Sequence, residues 1–219
     1  MQKLITLSLV VITVINAIAQ SFMTNVVPLC KLENISNTSI GSTLNIVASI
    51  YDVRICSEIT SSYGFSTWPN KNIIFTNETF GNVFGTIMEQ TTNLIWRYEN
   101  DTDTIYVYPT TNAITTRRCG PISISNIAVR DIFNETNILG LDTNALLKVA
   151  GHKEWGWMDT KISLDFDEMY VWEIFDAINK QLPIGISWHV NRIKPQNGYL
   201  YQLYFMSEFR AGEYKIFNQ

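Results

Sequence analysis

Two histidines are the side chains in this chain best suited to catalysis or metal binding. His152 stands in a Gly-His-Lys-Glu segment, and His189 follows Trp188 in a strand-like stretch. Metal sites usually need several His, Cys or carboxylate ligands at close spacing, and neither histidine has such companions in sequence. We interpret His152 and its neighbour Glu154 as surface residues. The sequence therefore predicts no metal site and no cofactor.

A group of three acids, Asp165, Asp167 and Glu168, suggests calcium binding or acid–base catalysis. Asp165 is the outward position of a predicted strand, however, while Asp167 and Glu168 suit the start of the following helix, where negative charge favours the helix dipole. Calcium loops also need more oxygen ligands and usually a glycine bend. We interpret the acids as structural.

Catalytic sequence motifs are also missing from the chain. It contains no Gly-x-Ser-x-Gly, no glycine-rich phosphate loop, no Cys-x-x-Cys and no His-Glu-x-x-His. No catalytic residues are predicted, although catalytic groups can be scattered along a chain. An exported hydrolase with an unrecognised site therefore stays as the alternative to a binding protein.

Three cysteines, Cys30, Cys56 and Cys119, leave two alternatives open. Export permits disulfides, but the odd number and the spacings fit no known framework. One alternative is a bridge between Cys56 and Cys119, and the other is three buried or free thiols.

Aromatic residues are more abundant near the carboxyl-terminal end than one core obviously needs. Tyrosine and tryptophan are favoured at protein interfaces, so these residues are candidates for a binding surface. The alternative is that these rings cap two small cores. The candidate binding residues are Trp155, Trp157, Trp172, Tyr199 and Tyr201.

The stretch Lys161–Val190 predicts the main structural unit, which is a strand, a helix and a second strand. Its strands alternate apolar and polar residues, and its helix carries apolar residues three and four positions apart. Pro183 and Gly185 are placed to end the helix. The apolar positions of the two strands and the helix are Ile162, Leu164, Phe166, Val171, Ile174, Phe175, Ile178, Leu182, Ile186, Trp188 and Val190.

A second copy of this unit begins near Ile73. An offset of 91 positions, plus one extra loop residue before the last strand, superimposes the apolar residues of both copies. The matched pairs are Phe75 with Phe166, Phe80 with Val171, Val83 with Ile174, Phe84 with Phe175, Ile87 with Ile178, and Trp96 with Trp188. The repeat predicts an α+β fold of two tandem modules, each with helices packed on a short, mainly antiparallel sheet.

The remaining segments give the predicted domain organisation. We also expect a helix over 44–62, a short strand over 65–68, and helices over 127–133 and 144–149. The predicted divisions are a signal peptide at 1–19, a leader or linker at 20–42, a first module at 43–109, a linker at 110–118, a second module at 119–206 and a tail at 207–219.

The amino-terminal segment predicts export. Lys3 precedes an apolar run over 4–15, and Ala-Ile-Ala places signal cleavage near Ala19. No later apolar run is long enough to cross a membrane, so we expect a periplasmic or secreted protein without a transmembrane segment after cleavage. Removing Lys3 changes the formal charge from −4 to −5, and without a basic stripe we predict no nucleic-acid partner.

Glycosylation signals occur at five asparagines, and we attribute them to chance in a chain rich in Asn and Thr. If the source were eukaryotic, the chain would instead be a secreted glycoprotein. The five sequons begin at Asn34, Asn37, Asn77, Asn100 and Asn134.

The repeated pattern resembles a known family. A strand, a helix with the stripe V-x-x-I-F-x-x-I, a strand with a central aromatic residue and a strand reading T-I-Y-V-Y-P are together similar to the short N-terminal domain of secretins and TonB-dependent receptors. The matching residues are Ile73–Ile87 with Leu94–Pro109, and more loosely Ile162–Ile178 with Ile186–Phe205.

This resemblance implies small α+β modules that dock partner proteins in the bacterial cell envelope. The chain departs from the family because no secretin pore or outer-membrane barrel follows the modules, so we expect neither a channel nor a receptor. The prediction is a non-catalytic binding or scaffold protein that holds an envelope protein through sheet edges or exposed aromatic residues.

Overall fold

The structure, a computed structural model, contains both helices and sheets, as predicted. The predicted signal peptide and carboxyl-terminal tail lie outside the residues that it describes, as does the predicted strand over 65–68. The described residues are 22–32, 40–60, 73–91, 93–132, 145–149, 156–182, 187–193 and 199–206.

Three α-helices and twelve strands make up the described part of the chain. The helices are α1 (Ile40–Tyr51), α2 (Phe80–Glu89) and α3 (Val171–Gln181). The strands are β1 (Val26–Leu32), β2 (Arg54–Thr60), β3 (Ile73–Thr79), β4 (Leu94–Glu99), β5 (Thr104–Pro109), β6 (Arg118–Cys119), β7 (Ile122–Ala128), β8 (Ala145–Val149), β9 (Lys161–Phe166), β10 (Met169–Tyr170), β11 (Ser187–Ile193) and β12 (Tyr199–Met206).

The predicted strand–helix–strand unit is confirmed as β9, α3 and β11. The helix begins at Val171, later than the acids suggested, because Asp167 and Glu168 lie in a bend that leads into the short strand β10. The carboxylate of Glu173 accepts a hydrogen bond of 2.7 Å from the backbone N–H of Tyr170 at the start of the helix. Glu173, rather than Asp167 or Glu168, therefore supplies the acid at the start of the helix.

The helix predicted over 44–62 is wrong in its second part. α1 ends at Tyr51, Asp52 has a positive φ of 54°, and the chain then continues as β2. A residue in the left-handed region ends a helix, as glycine commonly does. Ile55 and Ile59 are four positions apart, so they share one face of a helix and also one face of a strand. Their spacing could not decide between the two.

Two shorter helix predictions in the second half are also wrong. The segment from Val129 to Asp131 is a 3-10 turn that follows β7, and the segment from Ala145 to Val149 is β8. Short apolar runs fit both periodicities, and strand pairing with β12 decides the outcome for β8.

The largest sheet has six strands in the order β4-β5-β2-β11-β12-β8. Three of its five contacts are parallel (β5/β2, β2/β11 and β12/β8), and two are antiparallel (β4/β5 and β11/β12). Over all sheets of the described residues, five of the eight strand pairings are antiparallel, so the predicted mainly antiparallel character holds, although the largest sheet is mixed. Parallel neighbours need a crossover connection, and the segment containing α2 provides one between β2 and β5.

The two halves of the described chain, 22–109 and 118–206, have the same pattern of strand pairing. In the first half β1 pairs with β3, and β5 lies between β4 and β2. In the second half β7 pairs with β9, and β12 lies between β11 and β8. The segment predicted as a leader thus supplies β1 to the first half.

Two cores lie on opposite faces of the six-stranded sheet. Ile105 on β5 packs into the core that contains α1 and α2, whereas its neighbour Tyr106 packs into the core that contains α3. Successive strand residues point to opposite faces, so the helices of the two halves lie on opposite sides of the sheet.

Candidate functional site

The two halves join where β2 and β11 pair in parallel at the middle of the sheet. Residues 57–60 of β2 lie beside residues 189–192 of β11. Buried polar side chains concentrate along this seam, and they are the first candidates for chemistry.

Asp176 is the centre of one buried polar network. This α3 residue is 3% exposed, and its carboxylate accepts hydrogen bonds from Arg54 Nη2 at 3.0 Å and Trp188 Nε1 at 2.8 Å. The hydroxyl of Tyr106 donates a third hydrogen bond. Burial and the neighbouring Asp176 carboxylate raise the pKa of Tyr106. With three donors around it, the carboxylate fastens α3 to strands of both halves rather than facing a substrate.

Glu58 holds the predicted linker 110–118 against the seam. Its fully buried carboxylate accepts hydrogen bonds from the backbone N–H groups of Ile114 and Thr115, each at 2.9 Å. The Thr115 hydroxyl donates a further bond of 2.7 Å. Burial raises the pKa of the Glu58 carboxyl, and these hydrogen bonds act in the opposite direction. The backbone carbonyl of Thr115 in turn accepts from the N–H of Trp172, which fixes the start of α3.

His189 contacts Ser57 across the seam, with 2.7 Å between Nδ1 and the serine Oγ. A serine beside a histidine is the arrangement of an activated nucleophile. Ser57 is only 1% exposed, however, so a substrate cannot reach its hydroxyl. Burial lowers the pKa of His189 to about 4, and the neutral ring makes a structural hydrogen bond. His152 lies outside the described residues.

Two of the five candidate aromatic binding residues lie in the core. Trp157 and Tyr201 are buried core residues, each 3% exposed, so they cannot form a contact surface. Trp157 packs edge-on against Phe205. Trp155 lies outside the described residues, and so does the side chain of Tyr199.

Trp172 is half-buried and belongs to a stack of aromatic rings and cations between the halves. The Arg97 guanidinium lies 4.3 Å from the centre of the Trp172 ring, and Tyr170 stacks on Trp172. Arg118 lies 5.3 Å from the centre of the Tyr170 ring. Cation–π contacts of this kind stabilise packing. Trp172 therefore helps to join the halves.

Of the two alternatives for the cysteines, the structure shows free thiols rather than a bridge between Cys56 and Cys119. Both residues are free and buried, as is Cys30. Burial raises the pKa of Cys30 to about 11 and that of Cys56 to about 12. At neutral pH these thiols are protonated, so they lack the thiolate that a nucleophilic cysteine needs.

The open edge of β4 is the candidate site that sequence reasoning did not locate. β4 is the outermost strand at one end of the six-stranded sheet, and among the described residues no strand pairs with its outer side. Ile95 and Trp96 on this strand are each 42% exposed. A shallow groove of about 430 Å³ runs beside the strand. It is lined by Gly85, Met88, Glu89, Leu94, Ile95 and Trp96.

Trp96 and Trp188 occupy matching positions of the repeat but have opposite exposure. Each packs edge-on against the matching helix phenylalanine, Phe84 at 5.4 Å and Phe175 at 5.2 Å. Trp188 is 1% exposed, because β2 continues the sheet beyond β11. No signal in the sequence of either tryptophan distinguishes the two.

Three further observations bear on the kind of protein. Within the described ranges, no group of three or more His, Cys, Asp and Glu side chains is arranged to hold a metal ion. No helix among the described residues has the length and apolar character needed to span a membrane. Comparison of the chain with protein-family models, curated proteins and solved structures finds no match.

Proposed function

We propose that this chain is a non-catalytic protein-binding or scaffold protein of the bacterial cell envelope. The observation that carries this proposal is the open edge of β4 with its exposed Ile95 and Trp96 and the adjoining groove. The buried polar groups of the seam are enclosed, whereas this edge offers main-chain and side-chain contacts to a partner.

The fold is two tandem modules that resemble the short N-terminal domain of secretins and TonB-dependent receptors. The matching strand pairings of the two halves support this reading, as do the matching contacts of Phe84 with Trp96 and of Phe175 with Trp188. Such modules dock partners in the envelope, where the predicted signal peptide would deliver the chain.

The partner binds by adding a strand to β4. Backbone N–H and C=O groups on an open strand edge supply hydrogen bonds to any extended segment, and neighbouring pockets select its side chains. The groove between α2 and β4 is the selecting pocket. An exposed tryptophan such as Trp96 is the residue type that most often dominates binding energy at protein interfaces.

Capture of envelope proteins with matched variants tests this function. The purified protein is immobilised and exposed to an envelope extract of the source bacterium, and bound proteins are quantified by mass spectrometry. Ile95→Lys places a charge on the docking edge, where lysine discourages strand addition. Ile74→Lys is the matched control, because Ile74 is 56% exposed on the separate β1/β3 sheet.

The expected result is a partner captured by the wild type and by Ile74→Lys but lost with Ile95→Lys. Circular dichroism of all three proteins checks that the fold is retained. If nothing is captured, or if Ile95→Lys captures the same proteins as the wild type, the proposed function is wrong.

A further inference from the structure

The six-stranded sheet ends in β4 on one side and in β8 on the other. We propose that copies of this chain associate head to tail, with β8 of one copy pairing in parallel with β4 of the next. The association rests on the proposed function, since β4 is its docking edge, and it names the partner as a second copy. Among the described residues, neither strand is paired on its outer side.

The internal seam is the template for this contact. In the pairing pattern of the two halves, β4 corresponds to β11 and β8 corresponds to β2. The chain already joins a β2-type edge to a β11-type edge in parallel within one molecule. The two end strands of the sheet repeat this combination, since β8 corresponds to β2 and β4 corresponds to β11.

The register of the strands supports the correspondence residue by residue. Trp96 lies opposite Val107, and Trp188 lies opposite Phe205. Three positions earlier on the central strands, Thr104 pairs with Arg54 of β2, and Gln202 pairs with Lys148 of β8. Lys148 therefore takes the register position of Arg54, so a basic residue stands at this position in both halves.

The strand directions allow the contact without rearrangement. β5, β2 and β11 run one way, while β4, β12 and β8 run the other way. A second copy displaced along the sheet thus presents its β4 parallel to β8 of the first copy. The contact joins two different surfaces, β8 of one copy and β4 of the next, so it is heterologous. Repeating it produces open linear oligomers rather than closed dimers.

The groove beside β4 is the space that this contact would fill. At the internal seam, Arg54 reaches across to Asp176 beside Trp188. The repeat offset of 91 places Gly85 at the position of Asp176, so the groove lacks the carboxylate that the internal seam provides. Lys148 of β8 is basic, and Glu89 on the wall of the groove is acidic, so the two edges are complementary in charge. Without the carboxylate, the association is weaker than the internal seam and therefore reversible.

Restoring the missing carboxylate gives a gain-of-function test. Apart from its chain neighbours and the backbone of α2, a Cβ at Gly85 has no atom within 4 Å, so there is open space for the side chain of Gly85→Asp. The average mass of purified protein is measured by sedimentation velocity over a concentration series. The wild type should show reversible growth to dimers and longer series, and Gly85→Asp should lower the half-association concentration roughly tenfold, as expected for a charge-assisted hydrogen bond.

Loss of the edge should abolish the association. Ile95→Lys should remain monomeric at every concentration, whereas the control Ile74→Lys should behave as the wild type does. If the wild type and Gly85→Asp are both monomeric, or if Ile95→Lys associates as the wild type does, self-association through β4 is refuted. The two proposals can fail separately. If self-association is refuted but Ile95→Lys still fails to capture the envelope protein that the wild type captures, the proposed docking function stands.

Discussion

Replacing Asp176 with alanine is the most direct perturbation of the seam between the halves. The change removes one buried carboxylate and leaves three donors on Arg54, Tyr106 and Trp188 without their acceptor. Breaking a buried ion pair by removing one partner costs about 3–5 kcal/mol, and each orphaned neutral donor costs about 1–3 kcal/mol. These terms overlap, so we expect Asp176→Ala to lower the free energy of unfolding by about 4 kcal/mol.

Urea unfolding followed by tryptophan fluorescence measures this loss, since Trp188 lies within the network. The matched control is Asp159→Ala, which removes an ion pair with Arg130 that is 2.7 Å long but solvent-exposed. Exposed pairs contribute little, so we expect the control to cost below about 1 kcal/mol.

A double-mutant cycle with Arg54→Met separates the pair from its surroundings. Once Arg54 is gone, Asp176→Ala no longer strands a buried cation, so the double variant should cost about 2 kcal/mol less than the sum of the single variants. Additive single costs, or a cost of Asp176→Ala no larger than that of Asp159→Ala, would refute the assignment of the network as the lock between the halves.

Three further changes test other parts of the seam and the thiols. Glu58→Ala should remove the hydrogen-exchange protection of the Thr115 amide, which amide exchange by NMR would show, and retained protection would contradict the clamp. The pKa of His189 is about 4 in the folded state and about 6.5 when unfolded, so the unfolded chain binds more protons between these values. Stability from this group is present above pH 6.5 and is lost as pH falls toward 4, by about 3 kcal/mol in all, and His189→Asn should flatten that slope in urea titrations. Cys30 and Cys56 should resist alkylation in the native protein and react fully in urea, whereas a mass change on reduction would contradict free thiols.

Local pattern determined part of the fold. The apolar stripe of α3 and the alternation in β9 and β11 predicted those elements, because an apolar face must turn toward a core wherever the element packs. The pattern predicts a helix where β2 lies, because the spacing of Ile55 and Ile59 fits both the helical and the strand period. The positive φ of Asp52, which ends α1, cannot be recognised from the spacing of apolar residues.

The site depended on contacts between distant parts of the chain. Trp96 and Trp188 have the same local surroundings, yet only Trp188 has another strand beyond its own. Asp176 adjoins an apolar helix stripe, where an acid usually marks the solvent boundary, and it is buried only because Arg54 and Tyr106 arrive from the other half. Spacing within one segment cannot report such partners.

The parallel seam also sets the order in which this chain can complete its fold. Ser57 and His189, which meet across it, are 132 positions apart. At a synthesis rate of roughly 5–20 residues per second, β2 emerges roughly 7–26 seconds before the strand that will cover its outer edge. Throughout that interval the edge of β2 that will pair with β11 has no partner strand. Glu58, which is fully buried in the folded protein, lies on this strand. Until β11 is in place, the outer edge of β2 is therefore open to binding by a chaperone or to pairing with another chain.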